Sequence, residues 1–313
     1  MARILVTGPL GHIGSRFIHE IKENEFEEVI LLDNLSTQRF PSLFNLPSGV
    51  KFRFIQDDIL TAPLVDYCKN VDYVLHLAAI TNAEGSFEIQ EKVEEVNFKG
   101  TRRVAEACVA GGAKLIFVST TSVYGTQASV VDENCSQEEL KPQSPYAISK
   151  LKAETLIGEL GRLQGLQYIT CRFGTIFGTS IGMRFHTAVN KFVWQSCLGM
   201  PLTVWRTALD QKRPYLDLND AIRALRFILA TERFDRQTYN VLTVNSTVRE
   251  ITDVIRTIVP DLRIEFVDSQ IMNQLSYTVA CEKFKALGFR FEGSLERSID
   301  DTVRLIRNVR HGF

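Results

Sequence analysis

The chain has 313 residues, 45% of them hydrophobic and 23% charged, with a formal net charge of -1. That length and apolar content can bury a full core and suggest one large or two modest domains. Near-neutral charge without a basic block argues against a nucleic-acid partner, and no apolar run approaches the roughly 20 residues of a membrane span.

The first apolar run predicts a strand over 3–7, entered at once, which leaves no room for a signal peptide. It leads into Thr7-Gly8-Pro9-Leu10-Gly11-His12-Ile13-Gly14 and a helical pattern over 12–24. A second buried strand, 28–33, ends on Asp33, and residues 34–49 read as a loop. Strands 51–56, 72–78, 114–119 and 167–172 alternate with helices at about 86–111 and 146–163. Strands alternating with helices imply βαβ units: a Rossmann-type, doubly wound parallel sheet of the α/β class. After Arg172 the regularity breaks down. Helices at about 184–199 and 218–231 alternate with short strands at Leu202–Trp205 and Thr238–Val241. The expected division is therefore a dinucleotide-binding domain over 1–172 and a smaller α/β substrate lobe over 173–313, with some elements returning to the main sheet.

The six cysteines, Cys68, Cys108, Cys135, Cys171, Cys197 and Cys281, form no C-x-x-C pair and no metal-ligand spacing with histidine. Most lie in apolar stretches and read as core residues in a reducing cytoplasm, with no metal expected.

Glycine permits a tight turn and close approach of the backbone to a ligand. A helix starting there offers free N–H groups and a positive dipole end to an anionic pyrophosphate. The spacing here is G-x-x-G-x-x-G, and an ordinary strand–helix turn is the competing reading. Asp33 lies 19 residues beyond Gly14, near the offset of an acid that binds the adenosine ribose. Such a carboxylate accepts from the 2′-hydroxyl and repels a 2′-phosphate, which favours NAD over NADP. Asn34 offers a second ribose contact, and a capping role is the other reading of Asp33.

Ser144-Pro145-Tyr146-Ala147-Ile148-Ser149-Lys150 opens the helix over 146–163. Tyr146 and Lys150, four apart, share a helical face. An ammonium beside a phenol favours the phenolate and lowers its pKa, giving a base for a substrate hydroxyl. Such pairs more often sit on a surface, so the reading rests on its company. Ser119-Thr120-Thr121-Ser122-Val123-Tyr124-Gly125 leaves the fifth strand at its C-terminal end, where open α/β sheets bind ligands. His76-Leu77-Ala78-Ala79 closes the fourth strand with small residues, and His76 reads as a satisfied core histidine.

Together these motifs resemble the extended short-chain dehydrogenases/reductases of the nucleotide-sugar epimerase/dehydratase family. The likeness runs through Thr7–Gly14, Asp33, Asp58-Ile59, His76–Ala79, Val96-Asn97, Gly100-Thr101, Ser119–Gly125, Tyr146–Lys150, Arg172–Gly178 and Gln211–Asp217. It implies Thr120, Tyr146 and Lys150 as catalytic residues, with Tyr146 the acid/base. It implies an NAD site of Gly8, Gly11, His12, Ile13, Gly14, Asp33, Asn34, Asp58, Ile59, Leu77, Ala78, Ala79, Asn97, Ser119 and Phe173, with Tyr146 and Lys150. For the nucleotide-diphosphate sugar it implies Thr121, Thr175, Arg184, Asn190 and Arg213. Arg213 would grip the diphosphate with its forked guanidinium; a surface salt bridge is the other reading. A homodimer through the helices near 86–111 and 146–163 is also implied.

Three departures matter. Thr121 and Ser122 stand where the dehydratases carry Asp-Glu, which disfavours 4,6-dehydration. Thr175 replaces a frequent Asn. The segment Met272–Tyr277 lacks an arginine often found there, and Arg184 either supplies that charge or caps the following helix. The leading expectation is an NAD-dependent nucleotide-sugar 4-epimerase. A net 4-dehydrogenase or ketoreductase is the alternative within redox enzymes, and a non-catalytic dinucleotide-binding sensor the alternative outside them.

Overall fold

Aliphatic runs that alternate their side chains between two covered faces must become interior strands, and they do. The computed structural model describes residues 1–125, 130–136, 138–268 and 276–306. Its strands are β1 (Arg3–Thr7), β2 (Glu28–Asp33), β3 (Phe52–Gln56), β4 (Tyr73–His76), β5 (Lys114–Thr120), β6 (Val130–Val131), β7 (Tyr168–Phe173), β8 (Thr175–Phe177), β9 (Leu202–Trp205), β10 (Arg213–Asp217), β11 (Thr238–Val241), β12 (Val244–Ser246), β13 (Ile264–Val267) and β14 (Thr278–Val279). The helices are α1 (His12–His19), α2 (Leu64–Tyr67), α3 (Gln90–Val93), α4 (Thr101–Gly111), α5 (Pro145–Gln164), α6 (Ala188–Cys197), α7 (Leu218–Ala230), α8 (Val248–Ile258), α9 (Glu282–Lys285) and α10 (Leu295–Ile306).

Seven parallel strands form the main sheet in the order β11-β7-β5-β4-β1-β2-β3. On one face Ile4, Val6, Val29 and Leu31 pack against Phe17 and Ile18 of α1 and Ile222, Leu225 and Ile228 of α7. On the other, Leu5, Ile30, Val74, Leu115 and Phe117 pack against Val104 and Cys108 of α4 and Ile157 of α5. This is the two-residue period of strands sealed on both sides. The strand order reverses between β1 and β4, which opens a crevice at their C-terminal ends. A second core gathers Phe177, Val193, Leu202, Tyr215, Ile251, Ile255 and Ile299 under α6, α8 and α10. Residues past 173 thus serve both bodies: β11, α7 and α9 finish the main sheet, while the rest build the lobe.

Several boundaries differ from the sequence expectation. The first helix stops at His19, because Ile21 turns inward and Asn24 takes a left-handed φ of 62°. The pattern over 86–111 divides into a 3-10 turn at Gly85–Phe87, α3, a π-helical stretch at Glu94–Gly100, and α4. The π stretch carries Asn97, and π turns recur beside functional sites. The helix expected from 184 starts only at Ala188, leaving Arg184–Thr187 as a loop. Four cysteines are buried and two half-buried, and all six are free. No described helix is long and apolar enough to cross a membrane.

His76 is the core histidine the sequence suggested. Its Nδ1 lies 2.7 Å from Thr7 Oγ1 and its Nε2 2.9 Å from Thr101 Oγ1. Thr101 donates its proton to Asn97 O, so His76 Nε2–H donates to Thr101. Burial, then the Lys150 charge, lowers its pKa to about 3. Below the ordinary value of 6.5 the unfolded chain takes up a proton here that the folded chain refuses. The stability contribution is complete above pH 6.5 and is lost by about 1.4 kcal/mol per pH unit on the way down. His12 and His186, lowered to about 3 and about 4, add to the same slope. His76→Gln is expected to flatten the fall of unfolding free energy between pH 6.5 and 4.5; an unchanged slope would refute this.

Candidate active site

One cavity of about 1170 Å³ opens over the C-terminal ends of β1, β2, β4, β5 and β7. That exceeds the roughly 300–1,000 Å³ of a single small-molecule pocket, and leaves room for two nucleotides.

At its floor the glycine turn is shaped by close packing. Gly8 has φ +68°, and a Cβ there would stand 2.7 Å from Ala78 N. A Cβ at Gly14 would stand 2.6 Å from Gly8 O and 2.7 Å from Pro9 Cα. Helix α1 begins after Gly11 with no side-chain cap and no acid in its first turn. Its first N–H groups and dipole are therefore left to an anion in the cavity. The fit to a dinucleotide pyrophosphate is good. His12 accompanies it, with Nδ1 2.9 Å from Ser180 Oγ and a buried Nε2 that has no hydrogen-bond partner. Burial first, then Arg184, Arg39 and His186, keep His12 neutral.

Asp33 ends β2 beside this turn. Its Oδ2 accepts from Leu10 N at 3.3 Å and its Oδ1 from Leu35 N at 2.9 Å. Two further lone pairs remain on the carboxylate, although burial raises its pKa. Asn34 Nδ2 donates to Asp58 Oδ2 at 2.9 Å, and Asp58 Oδ1 accepts from Leu60 N at 2.8 Å. Ile59, Leu77, Ala78 and Ala79 line the same end. Asp33→Asn keeps one acceptor and loses the charge. It is expected to weaken NAD about tenfold, the order of one charge-assisted hydrogen bond, and to narrow the preference over NADP. Titrating both dinucleotides by fluorescence checks this.

Asn97 and Asn190 do not line the cavity. Asn97 Oδ1 accepts from Ile80 N at 2.8 Å, and its Nδ2 donates to Ile80 O at 2.9 Å and Ser149 Oγ at 3.3 Å. It organises the site by latching the loop after β4 to α5. Asn190 is 1% exposed. Its Oδ1 accepts from Gly178 N and its Nδ2 donates to Arg184 O. The substrate contact expected of it is thus corrected: its amide is engaged by backbone, and it braces the loop that carries Arg184.

The reacting end lies at the start of α5. Ser144 caps that helix by accepting from Ala147 N at 3.2 Å, and Pro145 follows. Tyr146 and Lys150 face the cavity with Ser119, Thr120, Thr121, Phe173 and Thr175. Thr120 lies beside Tyr146 and favours its phenolate, and Thr120 Oγ1 accepts from Ser122 N at 3.1 Å. Burial pushes the Tyr146 phenol up to about 12, opposed by Thr120 and then Arg184. Lys150 lies one helical turn beyond Tyr146 on the same face of α5. Lys150 Nζ donates to Val118 O at 2.8 Å and lies 4.8 Å from the Phe117 ring centroid, and burial lowers its pKa to about 8. Arg184 is a cation that favours the phenolate.

Arg184 donates to Thr81 Oγ1, and its buried Nε has no hydrogen-bond partner. It precedes α6 by four residues and lines the cavity, so it caps no helix. Arg213 lines the cavity too, 4.9 Å from the Tyr277 ring centroid and 3.3 Å from Gln211 Oε1. Thr121 Oγ1 donates to Phe173 O, and Tyr277 donates its hydroxyl to Thr121 O, both at 3.3 Å. Met272–Leu275, where an arginine was sought, lie outside the described residues. Sequence reasoning missed Thr81, His186, Lys191, Trp205 and Tyr277 on the wall. Only His186, two residues past Arg184, carried a signal.

A crevice at the switch point, a dinucleotide-shaped glycine turn and a Thr–Tyr–Lys set define a nucleotide-dependent enzyme of the short-chain dehydrogenase/reductase class. Residues 4–241 match the NAD dependent epimerase/dehydratase family, and the chain belongs to it. An uncharacterized UDP-glucose epimerase of Bacillus subtilis is 30% identical over 76% of this chain and 76% of its own. The trifunctional UDP-glucose 4,6-dehydratase/UDP-4-keto-6-deoxy-D-glucose 3,5-epimerase/UDP-4-keto-L-rhamnose-reductase of Arabidopsis thaliana is 30% identical over 95% of this chain. The chain spans only 46% of that relative's length. Among solved structures, the UDP-glucuronic acid 4-epimerase of Bacillus cereus, in complex with UDP-glucuronic acid and NAD, superposes with a TM-score of 0.88. It is 25% identical, and the match covers 98% of this chain and 99% of that one.

Proposed function

We propose that this protein is an NAD-dependent nucleotide-sugar 4-epimerase. The observation that carries the reading is the lining of the reacting end, where Tyr146 and Thr120 face the cavity beside Thr121 and Ser122. Among the described residues the cavity's acids are Asp33, Asp57, Asp58, Glu84, Glu91 and Glu95. Dehydration needs a positioned acid to protonate the departing hydroxyl, and Thr121 and Ser122 supply only hydroxyls. The likeness to UDP-sugar 4-epimerases supports the same choice.

Gly8, Gly11, Gly14 and Asp33 would hold the dinucleotide, with Lys150 on the nicotinamide ribose. A nicotinamide held there would supply reversible hydride exchange with C4, through which the sugar would pass as its 4-keto form. Tyr146, as phenolate, takes the proton of the C4 hydroxyl and later restores it. Thr120 hydrogen-bonds the reacting oxygen. Arg184 keeps the phenolate accessible in a site where burial opposes it, and Arg213 grips the diphosphate. The homodimer belongs to the same proposal, with Ile148 exposed on α5, one of the helices it would use.

The test is turnover of a panel of UDP-, GDP-, dTDP- and CDP-sugars by the NAD-loaded protein. The expected result is the C4 epimer without net change near 340 nm, the approximate band of the reduced cofactor. Accumulating reduced cofactor would replace this reading with a net dehydrogenase. Tight NAD binding without turnover on any sugar would replace it with a non-catalytic sensor.

A further inference from the structure

Beneath Tyr146 and Lys150 lies a buried ionic network that the mechanism has not used. Tyr146, Lys150 and Glu154 recur every fourth residue along α5, on one face. Arg172 of β7 clamps the Glu154 carboxylate: its Nε lies 3.1 Å from both oxygens and its NH2 2.7 Å from Oε2. Only 6% and 7% of the two side chains are exposed. Ser119, next to the Val118 carbonyl that holds Lys150, donates its hydroxyl to Glu154 Oε1. Arg172 NH1 donates to the Tyr124 hydroxyl at 2.9 Å, and Tyr124 donates to Asn240 Oδ1 at 2.9 Å.

We propose that Glu154 is a positioning residue of the active site, held by Arg172 and Ser119 so that its charge keeps Lys150 an ammonium. The catalytic part of this inference rests on the roles proposed above for Tyr146 and Lys150; the charge relation does not.

The argument is one of compensation. A buried ammonium is costly unless an anion stands near it. The groups facing Lys150 are Glu154 and Tyr146 on its own helix, His76 on β4 and the Phe117 ring on β5. His76 is neutral and Tyr146 is a phenol in the resting site, which leaves Glu154 as the anion. Burial pulls Lys150 down to about 8, and Glu154 is the group that pulls it up. Glu154 in turn faces Arg172 and Tyr168, and Arg172 faces Tyr124 and Cys135. Arg172 forks onto this carboxylate with good geometry, which compensates its burial. The pair also ties α5 to β5 and β7, fixing the helix that presents Tyr146 opposite Thr120.

The test follows the Lys150 titration by NMR of lysine-labelled, cofactor-free protein, assigned through Lys150→Arg. Glu154→Gln is expected to move that titration down by about one unit or more. Arg172→Met is expected to move it the opposite way, and the double variant to return it toward wild type. Merely structural damage would move both single variants in the same direction. Should Glu154→Gln not fold, Arg172→Met against the double variant isolates the same charge. An unmoved titration in Glu154→Gln, or parallel movement in both single variants, overturns the proposal. In turnover, Glu154→Gln is expected to lose kcat more steeply at pH 8.5 than at pH 6.5, with KM little changed. An equal loss at both pH values would confine Glu154 to a structural role. If the NMR titration moves while the panel shows no epimerisation, the charge relation stands and the functional reading fails.

Discussion

Tyr146→Phe is expected to lower kcat by about 10³-fold, within the range of a positioned general acid–base group, and to leave NAD affinity within about threefold. The phenol is half-buried and raised to about 12, so the site contains little phenolate at rest. Its function must be realised when a substrate hydroxyl arrives and the proton can move within a hydrogen-bonded pair. Removing one oxygen therefore removes the proton path and leaves ring packing intact. Arg184→Met tests the electrostatic half of the argument. Arg184 favours the phenolate and lies against Thr81, so its loss is expected to cost about tenfold or more in kcat at neutral pH. Raising the pH should recover part of that loss, because a phenol pushed higher needs a more alkaline solution to ionise. Isothermal titration with NAD and steady-state rates over pH 6 to 9 check both variants. Normal turnover by Tyr146→Phe would remove Tyr146 from the mechanism.

The parts of this molecule that were legible in the sequence are those fixed by local rules. The β1 turn, the alternating strands and the capped start of α5 follow from glycine, period-two burial, and Ser144-Pro145. The roles of Asn97 and Asn190 were not legible. An amide can face a ligand or latch a loop, and only the partners of its oxygen and nitrogen decide, here Ile80 across 17 positions and Gly178 across 12. The effect of Arg184 on Tyr146 was also hidden, because Arg184 reaches the site from a loop before α6. The Glu154–Arg172 pair joins α5 to β7, a tertiary contact that helix periodicity alone does not disclose.

Gly14→Ala is expected to displace the turn and weaken NAD binding by about 100-fold, whereas Gly11→Ala should leave the turn of the cofactor-free chain in place. The contrast follows from what each new methyl would meet. At Gly14 it would stand 2.6–2.7 Å from the backbone of Gly8 and Pro9, atoms that move only if the whole turn moves. At Gly11 the nearest atom is Gly8 O at 3.4 Å, ordinary contact, and the φ of -71° suits any residue. The turn is constrained from its outer side as well. Gly182 N donates to Ser15 Oγ at 2.9 Å, and a Cβ on Gly182 would stand 2.4 Å from Leu10 O. His12 Nδ1 to Ser180 Oγ adds a second tie. The segment that carries Arg184 is thus docked on the same turn whose N–H groups face the cofactor site. A displaced turn shifts the dinucleotide and the cation beside Tyr146 together, so Gly14→Ala should lose kcat beyond what saturating NAD restores. Gly182→Ala should reproduce the kcat loss with a smaller change in NAD affinity. Titration of NAD, followed by rates at saturating dinucleotide, separates the two effects. Wild-type affinity in Gly14→Ala would show that the turn is not the cofactor's seat.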